Sequence, residues 1–156
     1  MKNSPEFALV LPDIRSCHNV GALFLTADAC GVDFLYLTGY TATPPKPQID
    51  KVALGAEKWM PWKQYKNTFT LVKALKKAGV KIVALEKNEQ SVDIGMADFT
   101  GPMALIVGNE VDGVDSKILA LADQIVHIPM YGKKESLNVS VAAGIAMYVI
   151  GRSLKN

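Results

Sequence analysis

Cysteine is scarce in this chain, which places only Cys17 and Cys30 among 156 residues. Two cysteines make no disulfide framework, and a reducing compartment keeps them as thiols. With only His18 and His127 to join them, no zinc-ligand spacing appears, so no metal is expected. Long apolar runs are also lacking. Residues 103–107 are a short run, and 139–150 is broken by Ser, Gly and Ala. Neither reaches the roughly 20 apolar residues of a membrane span, so no membrane partner is expected. The first six residues lead into a strand-like run rather than a signal-peptide core, which makes the expected compartment cytoplasmic. Arginine is rare too: of 17 basic residues only Arg15 and Arg152 carry a guanidinium. Arginine is the better fork for phosphates and carboxylates, so these two positions stand out.

What is present suffices for a folded core. Apolar residues make up 49% of the chain and charged residues 21%, which excludes disorder as the main state. A net charge of +2 neither requires nor excludes nucleic acid. Length and composition fit one domain.

Strand-like runs occupy residues 7–12, 34–38, 81–85, 103–107 and 125–128. A helix opens near Asn19, a good cap, and runs to Cys30, with Gly31 as its stop. Further helices are expected at 68–78 before Gly79, at 116–122, and at 137–154. Residues 43–47, Thr-Pro-Pro-Lys-Pro, form a loop. Alternating strands and helices predict an α/β fold with a mostly parallel sheet covered on both faces. Ligands of such sheets bind at the carboxyl ends of the strands. Three polar, glycine-containing segments fall there: 13–21, 108–113 and 129–138.

Each segment has a plain structural reading beside a functional one. Gly108-Asn109-Glu110-Val111-Asp112-Gly113 is neither a Walker loop nor a GxGxxG fingerprint; it is either a tight strand-to-helix turn or a site with close backbone approach. In the third segment, Ser136 or Asn138 suits a helix cap, and a cap still directs N–H groups at a ligand. Between residues 51 and 66, Lys51, Lys58, Lys63 and Lys66 interleave with Trp59, Trp62 and Tyr65. That mixture suits RNA phosphates and stacked bases, although both tryptophans suit a core or interface equally. Lys73, Lys76, Lys77 and Lys81 read as a solvated helix face. Cys17 and Cys30 read as packing residues, and His127 as a half-buried strand residue.

Together the three segments resemble the motifs of the SpoU (TrmH-like) RNA 2′-O-ribose methyltransferases of the SPOUT superfamily. The first motif is Ile14-Arg15-Ser16-Cys17-His18-Asn19-Val20-Gly21-Ala22 through Thr26-Ala27-Asp28-Ala29-Cys30-Gly31. The second is Leu105-Ile106-Val107-Gly108-Asn109-Glu110 with Gly113. The third is Ile128-Pro129-Met130 followed by Ser136-Leu137-Asn138-Val139-Ser140-Val141-Ala142. Leu54-Gly55-Ala56-Glu57 also matches. The resemblance covers nearly the whole chain and implies a single SpoU-type methyltransferase domain over 1–156, with no separate RNA-binding domain. It also implies a C-terminal deep trefoil knot, a rare feature that general topology rules would not suggest.

By the same resemblance, S-adenosyl-L-methionine (SAM) is the methyl donor, and Leu85, Val107, Gly108, Asn109, Glu110, Ile128, Met130, Ser136, Leu137 and Asn138 surround it. Asn19, Arg15, Glu110, Ser136 and Asn138 form the catalytic set. Arg15, Lys58, Trp59 and Lys63 are expected to contact the RNA, a tRNA or an rRNA. The active form is expected to be a homodimer built on the last helix, with Ala142, Ala143, Gly144 and Ala146 allowing close packing and Tyr148 and Ile150 adding apolar area.

One position departs from the family pattern. The first helix carries an arginine six residues after the motif asparagine in the family, and here that position is Leu25. An arginine there holds the substrate phosphate and stabilises the developing alkoxide, which leucine cannot do. Three explanations stand side by side: Arg15 supplies the cation from the preceding loop, the protein binds SAM or RNA without methylating, or position 25 is an altered residue. An α/β enzyme using another nucleotide is a third class, disfavoured by the missing phosphate-loop signatures.

Overall fold

The computed structural model describes residues 4–156. Seven strands form one sheet: β1 (Phe7–Pro12), β2 (Phe34–Thr38), β3 (Trp62–Tyr65), β4 (Lys81–Leu85), β5 (Val92–Asp93), β6 (Met103–Ile106) and β7 (Gln124–His127). Their order is β3-β2-β1-β6-β4-β7-β5. Every pairing is parallel, from Ala8↔Phe34 and Phe7↔Met103 at the centre to Asp93↔His127 at one edge. The α/β expectation therefore holds, with a sheet that is wholly parallel.

Side chains alternate across the sheet, and both faces are buried. Phe7, Leu9 and Leu11 belong to one core, with Leu35, Leu37, Met103 and Leu105. Ala8 and Val10 belong to the other, with Tyr36, Ile82, Ala84 and Ile106. This two-sided burial is why the strands read as continuous apolar runs. The first core is covered by α1 (Cys17–Ala29), α2 (Pro47–Ala53) and α6 (Val139–Lys155), and the second by α4 (Thr68–Lys77) and α5 (Ser116–Leu121). A Cβ on Gly21 would lie 2.6 Å from the Ile49 carbonyl oxygen, so glycine allows α1 to approach α2.

Several boundaries differ from the sequence reading. Helix α1 starts at Cys17, because the Ser16 hydroxyl caps it by accepting from the Asn19 N–H at 3.1 Å. Asn19 is thus inside the first turn and keeps its amide for another partner. Helix α6 starts at Val139, and Asn138 rather than Ser136 is its cap, accepting from the Ser140 N–H at 2.9 Å.

Two strands and two helices have no counterpart in the expected list. Strand β3 is four residues of mixed polarity on a sheet edge, and β5 is two residues long, so neither shows a period. Pro47, read as loop, is the first residue of α2, a position where proline is favoured. Leu54 and Gly55 are both left-handed, with φ of 54° and 97°. They turn the chain from α2 into the single-turn α3 (Ala56–Trp59), and Glu57 accepts from the Gly55 N–H at 2.9 Å.

The expected surface of α6 also needs correction. Ala143, Ala146 and Ile150 are wholly buried in their own subunit, so they are unavailable to a partner. Val141, Ile145 and Tyr148 are the apolar residues that α6 leaves exposed. Cys17 and Cys30 are partly buried and pack against the first core, and burial pushes the Cys30 thiol up, away from a nucleophile's range. Among the described residues no helix is long and apolar enough to cross a membrane.

Candidate active site

Because all strands run the same way, the segments after β1, β6, β4 and β7 meet at one edge of the sheet. After β6, residues 107–113 form a tight loop closed by two reciprocal backbone bonds of 3.1 Å between Asn109 and Gly113. Gly108 is required there, since a Cβ would lie 2.8 Å from the Gly113 backbone. The Asn109 side chain locks the loop internally, accepting from Val111 N–H at 2.8 Å and Asp112 N–H at 3.1 Å. Its amide nitrogen donates to the Asp13 carbonyl and, at 3.1 Å, to the Tyr40 hydroxyl.

Glu110 crosses from this loop to the start of α1. Its carboxylate accepts the backbone N–H of Arg15 at 3.0 Å, that of Ser16 at 3.2 Å and the side-chain amide of Asn19 at 3.3 Å. Partial burial alone would raise its pKa. The hydrogen bonds from Arg15, Ser16, its own N–H and Asn19 outweigh that and hold the carboxyl below its ordinary value. The location at a helix N-terminus acts in the same direction. Arg15 donates from Nε to the Tyr40 hydroxyl at 3.4 Å, and this partner raises the guanidinium pKa further. It is a permanent, solvent-facing cation.

Beside Glu110 lies a cavity of about 480 Å³. All ten residues expected around the donor line it: Leu85 after β4, Val107 through Glu110 after β6, Ile128 and Met130 after β7, and Ser136 through Asn138 before α6. Its walls mix apolar side chains, Leu85, Val107, Ile128, Met130 and Leu137, with polar and charged ones, among them Glu86, Lys87, Glu110, Glu135 and Asn138.

Several lining residues were missed by the sequence reading, Glu86 and His127 among them. Glu86 accepts from the Val114 N–H at 2.9 Å and braces the far side of the glycine loop. His127 lines the cavity while its Nδ1 lies 2.9 Å from the Ser91 hydroxyl. A polar residue directly after or at the end of a parallel strand was the available signal for both.

Lys58, Trp59 and Lys63 are not brought to this cluster within the protomer. Trp59 is exposed, and its indole donates to Asp28 at 2.9 Å in the last turn of α1, the end opposite Glu110. Lys63 lies on the edge strand β3, 5.2 Å from the Tyr65 ring centroid. Leu25 is 37% exposed on α1 and does not line the cavity. Among the described residues no group of three potential metal-ligating side chains is gathered anywhere.

The sequence profile of the SpoU rRNA Methylase family matches residues 6–148. This chain belongs to that family. The SpoU chain is 37% identical over 148 residues to a tRNA (guanosine(18)-2′-O)-methyltransferase of Aquifex aeolicus, covering 94% of this chain and 69% of that relative. A 23S rRNA (guanosine-2′-O-)-methyltransferase of Vibrio parahaemolyticus is 35% identical over 140 residues, which are 90% of this chain and 56% of that one. Among solved structures, the AdoMet-bound rRNA methyltransferase of Sinorhizobium meliloti superimposes with a TM-score of 0.89 at 29% identity, over 97% of the SpoU chain and 58% of the neighbour. The SpoU chain therefore spans between half and about two thirds of these relatives' lengths.

Proposed function

We propose that this SpoU chain transfers the methyl group of SAM to a ribose 2′-hydroxyl of a tRNA or rRNA. The chain is a SAM-dependent RNA 2′-O-methyltransferase by family. The observation that carries the reading is the junction at one sheet edge of the Arg15–Glu110–Asn19 cluster with the donor-sized cavity beside it. Leu25 is the feature that favours a catalytically silent homologue, and the relatives named as RNA 2′-O-methyltransferases support the active reading over it.

The cavity fits the donor in size and character. Its volume lies within the usual range for small-molecule sites, and its lining offers apolar side chains for an adenine ring and polar ones for the ribose and amino-acid parts of SAM. Leu85, Val107, Ile128 and Met130 would enclose the adenosine, and the backbone at Gly108 and Leu137 would orient it. When bound, SAM supplies a sulfonium methyl that is already a strong electrophile, so alignment is the protein's main task.

The chain's own residues divide the remaining work. Arg15 holds the substrate phosphate and stabilises charge developing on the 2′-oxygen. Glu110 accepts three N–H groups and has a lowered pKa, which makes it a poor proton acceptor. Its role is positioning: it ties the Arg15 loop and Asn19 to the glycine loop. Ser136 and Asn138 supply polar contacts at the donor's open side. Lys58, Trp59 and Lys63 remain candidates only for contacts distant from the reacting ribose.

The reading includes a homodimer whose surface is formed by Leu25 of α1 and Val141, Ile145 and Tyr148 of α6, apolar residues exposed on two helices that pack together. It includes the knotted C-terminal threading as well. The decisive experiment is transfer of labelled methyl from SAM to hypomethylated tRNA and rRNA by wild type and Leu25→Arg side by side. Transfer by wild type is expected; transfer only by Leu25→Arg would make the wild type a binder.

A further inference from the structure

A second cavity, of about 470 Å³, opens at the same sheet edge on the other side of the glycine loop. Asn109 and Gly113 line both cavities, so the loop is a wall between them. The Tyr40 hydroxyl, which receives Arg15 Nε at 3.4 Å and Asn109 Nδ2 at 3.1 Å, puts an aromatic ring of this cavity one hydrogen bond from the phosphate-holding cation.

The lining is not that of a phosphate site. Three carboxylates, Asp13, Asp112 and Asp115, outnumber Lys66 and Lys117. Two of the carboxylates are engaged: Asp13 accepts from the Tyr40 N–H at 3.0 Å and Asp115 from the Lys117 N–H at 2.8 Å. The Asp112 carboxylate accepts no hydrogen bond among the described residues. The rings of Tyr40 and Phe69 are 57% and 37% exposed. The Tyr40 ring, the Phe69 ring with the Lys73 ammonium 5.3 Å from its centroid, and a carboxylate without a hydrogen-bond donor suit a nucleobase, with the neighbouring lysines on its backbone.

A carboxylate selects among bases, because it only accepts. Guanine alone presents two adjacent donors, N1–H and the 2-amino group, on its pairing edge. Adenine and cytosine place an acceptor beside their amino group, and uracil has a single N–H between two carbonyls. We infer that this cavity receives a guanine base of the substrate RNA, against Tyr40 and Phe69, with Asp112 reading its N1–H and 2-amino edge. The assignment rests on the RNA methyltransferase reading above.

The test pairs a binding measurement with a kinetic one on the intact protein. Guanosine and inosine 5′-monophosphates are titrated while the ring resonances of Tyr40 and Phe69 are followed. Saturable shifts are expected with the guanosine nucleotide and weaker binding with inosine, which lacks the 2-amino group. Asp112→Asn is expected to lower kcat/KM for RNA by roughly 10- to 100-fold, the discrimination typical of a bidentate base contact, with SAM affinity unchanged by calorimetry. Phe69→Leu, on a different element, should lower kcat/KM in the same direction. Equal binding of the two nucleotides, absence of shifts at both rings, or wild-type kinetics in Asp112→Asn would overturn the assignment. If wild type methylates no RNA yet prefers the guanosine nucleotide, the methyltransferase reading fails and the base site stands.

Discussion

Arg15 and Glu110 share a loop junction, and the proposed mechanism gives them different tasks. Arg15 is exposed and reaches Tyr40 with its guanidinium, while its backbone N–H is held by Glu110. Arg15→Ala is expected to slow methyl transfer by about 100- to 1,000-fold, the usual effect of removing one preorganised charge stabiliser. SAM affinity should persist in a calorimetric titration. Wild-type rates in Arg15→Ala would remove it from the mechanism. Glu110 has a folded pKa below its ordinary value of 4.5, so its contribution to stability is complete above about that pH. That contribution is lost as pH falls through the lower folded value. Denaturant midpoints measured from pH 6 downward should fall in wild type, and Glu110→Gln should show a shallower fall over the same window. Identical slopes would show that Glu110 is not held as described.

At the scale of elements, the site depends on helix ends and on loops that tolerate no extra atoms. Asn138 caps α6 and lines the cavity. Asn138→Ala should lower stability by about 1 kcal/mol, a typical cap loss, and weaken SAM binding in calorimetry. A variant that loses stability but binds SAM as wild type would restrict Asn138 to capping. Gly21 lets α1 contact α2, and Gly21→Ala should destabilise by about 1–3 kcal/mol through overpacking. Chemical denaturation reads this directly, and an unchanged midpoint would mean that the two helices separate without cost. Because α1 also presents Ser16 and Asn19 to Glu110, a shift of this helix should reduce methyl transfer beyond the stability loss.

For the whole molecule, the proposed homodimer would cover the exposed apolar residues of α1 and α6. Ile145 and Tyr148 are 39% and 59% exposed on a helix whose inner face is fully buried. Sedimentation at micromolar concentration should give twice the 16.9 kDa chain mass, and Ile145→Glu with Tyr148→Glu should give the single-chain mass. A wild-type monomer would contradict the dimer. Activity of the double variant, measured once its fold is confirmed, then reports whether a site needs both protomers.

Local order in the sequence was enough to identify much of the fold. Buried strands declare themselves as apolar runs because a parallel sheet covered on both faces demands them, and Gly31 and Gly79 marked helix ends through their positive φ. The three loop segments were readable because each lies after a recognisable strand or before a helix, whereas the residues around the cavity were expected from the family resemblance. Strands β3 and β5 were not, since edge pairing is satisfied by backbone bonds to β2 and β7 rather than by side-chain pattern. Nor could the chain order show that Ser16, not Asn19, caps α1, because Asn19 is released for Glu110 only when β1 and β6 lie side by side. The same holds for the outward set of α6, which depends on which turn faces the sheet. Composition and periodicity determined the class of fold and the motifs; contacts between residues some 90 positions apart, such as Arg15 with Glu110, exist only once the sheet order brings their loops to one edge.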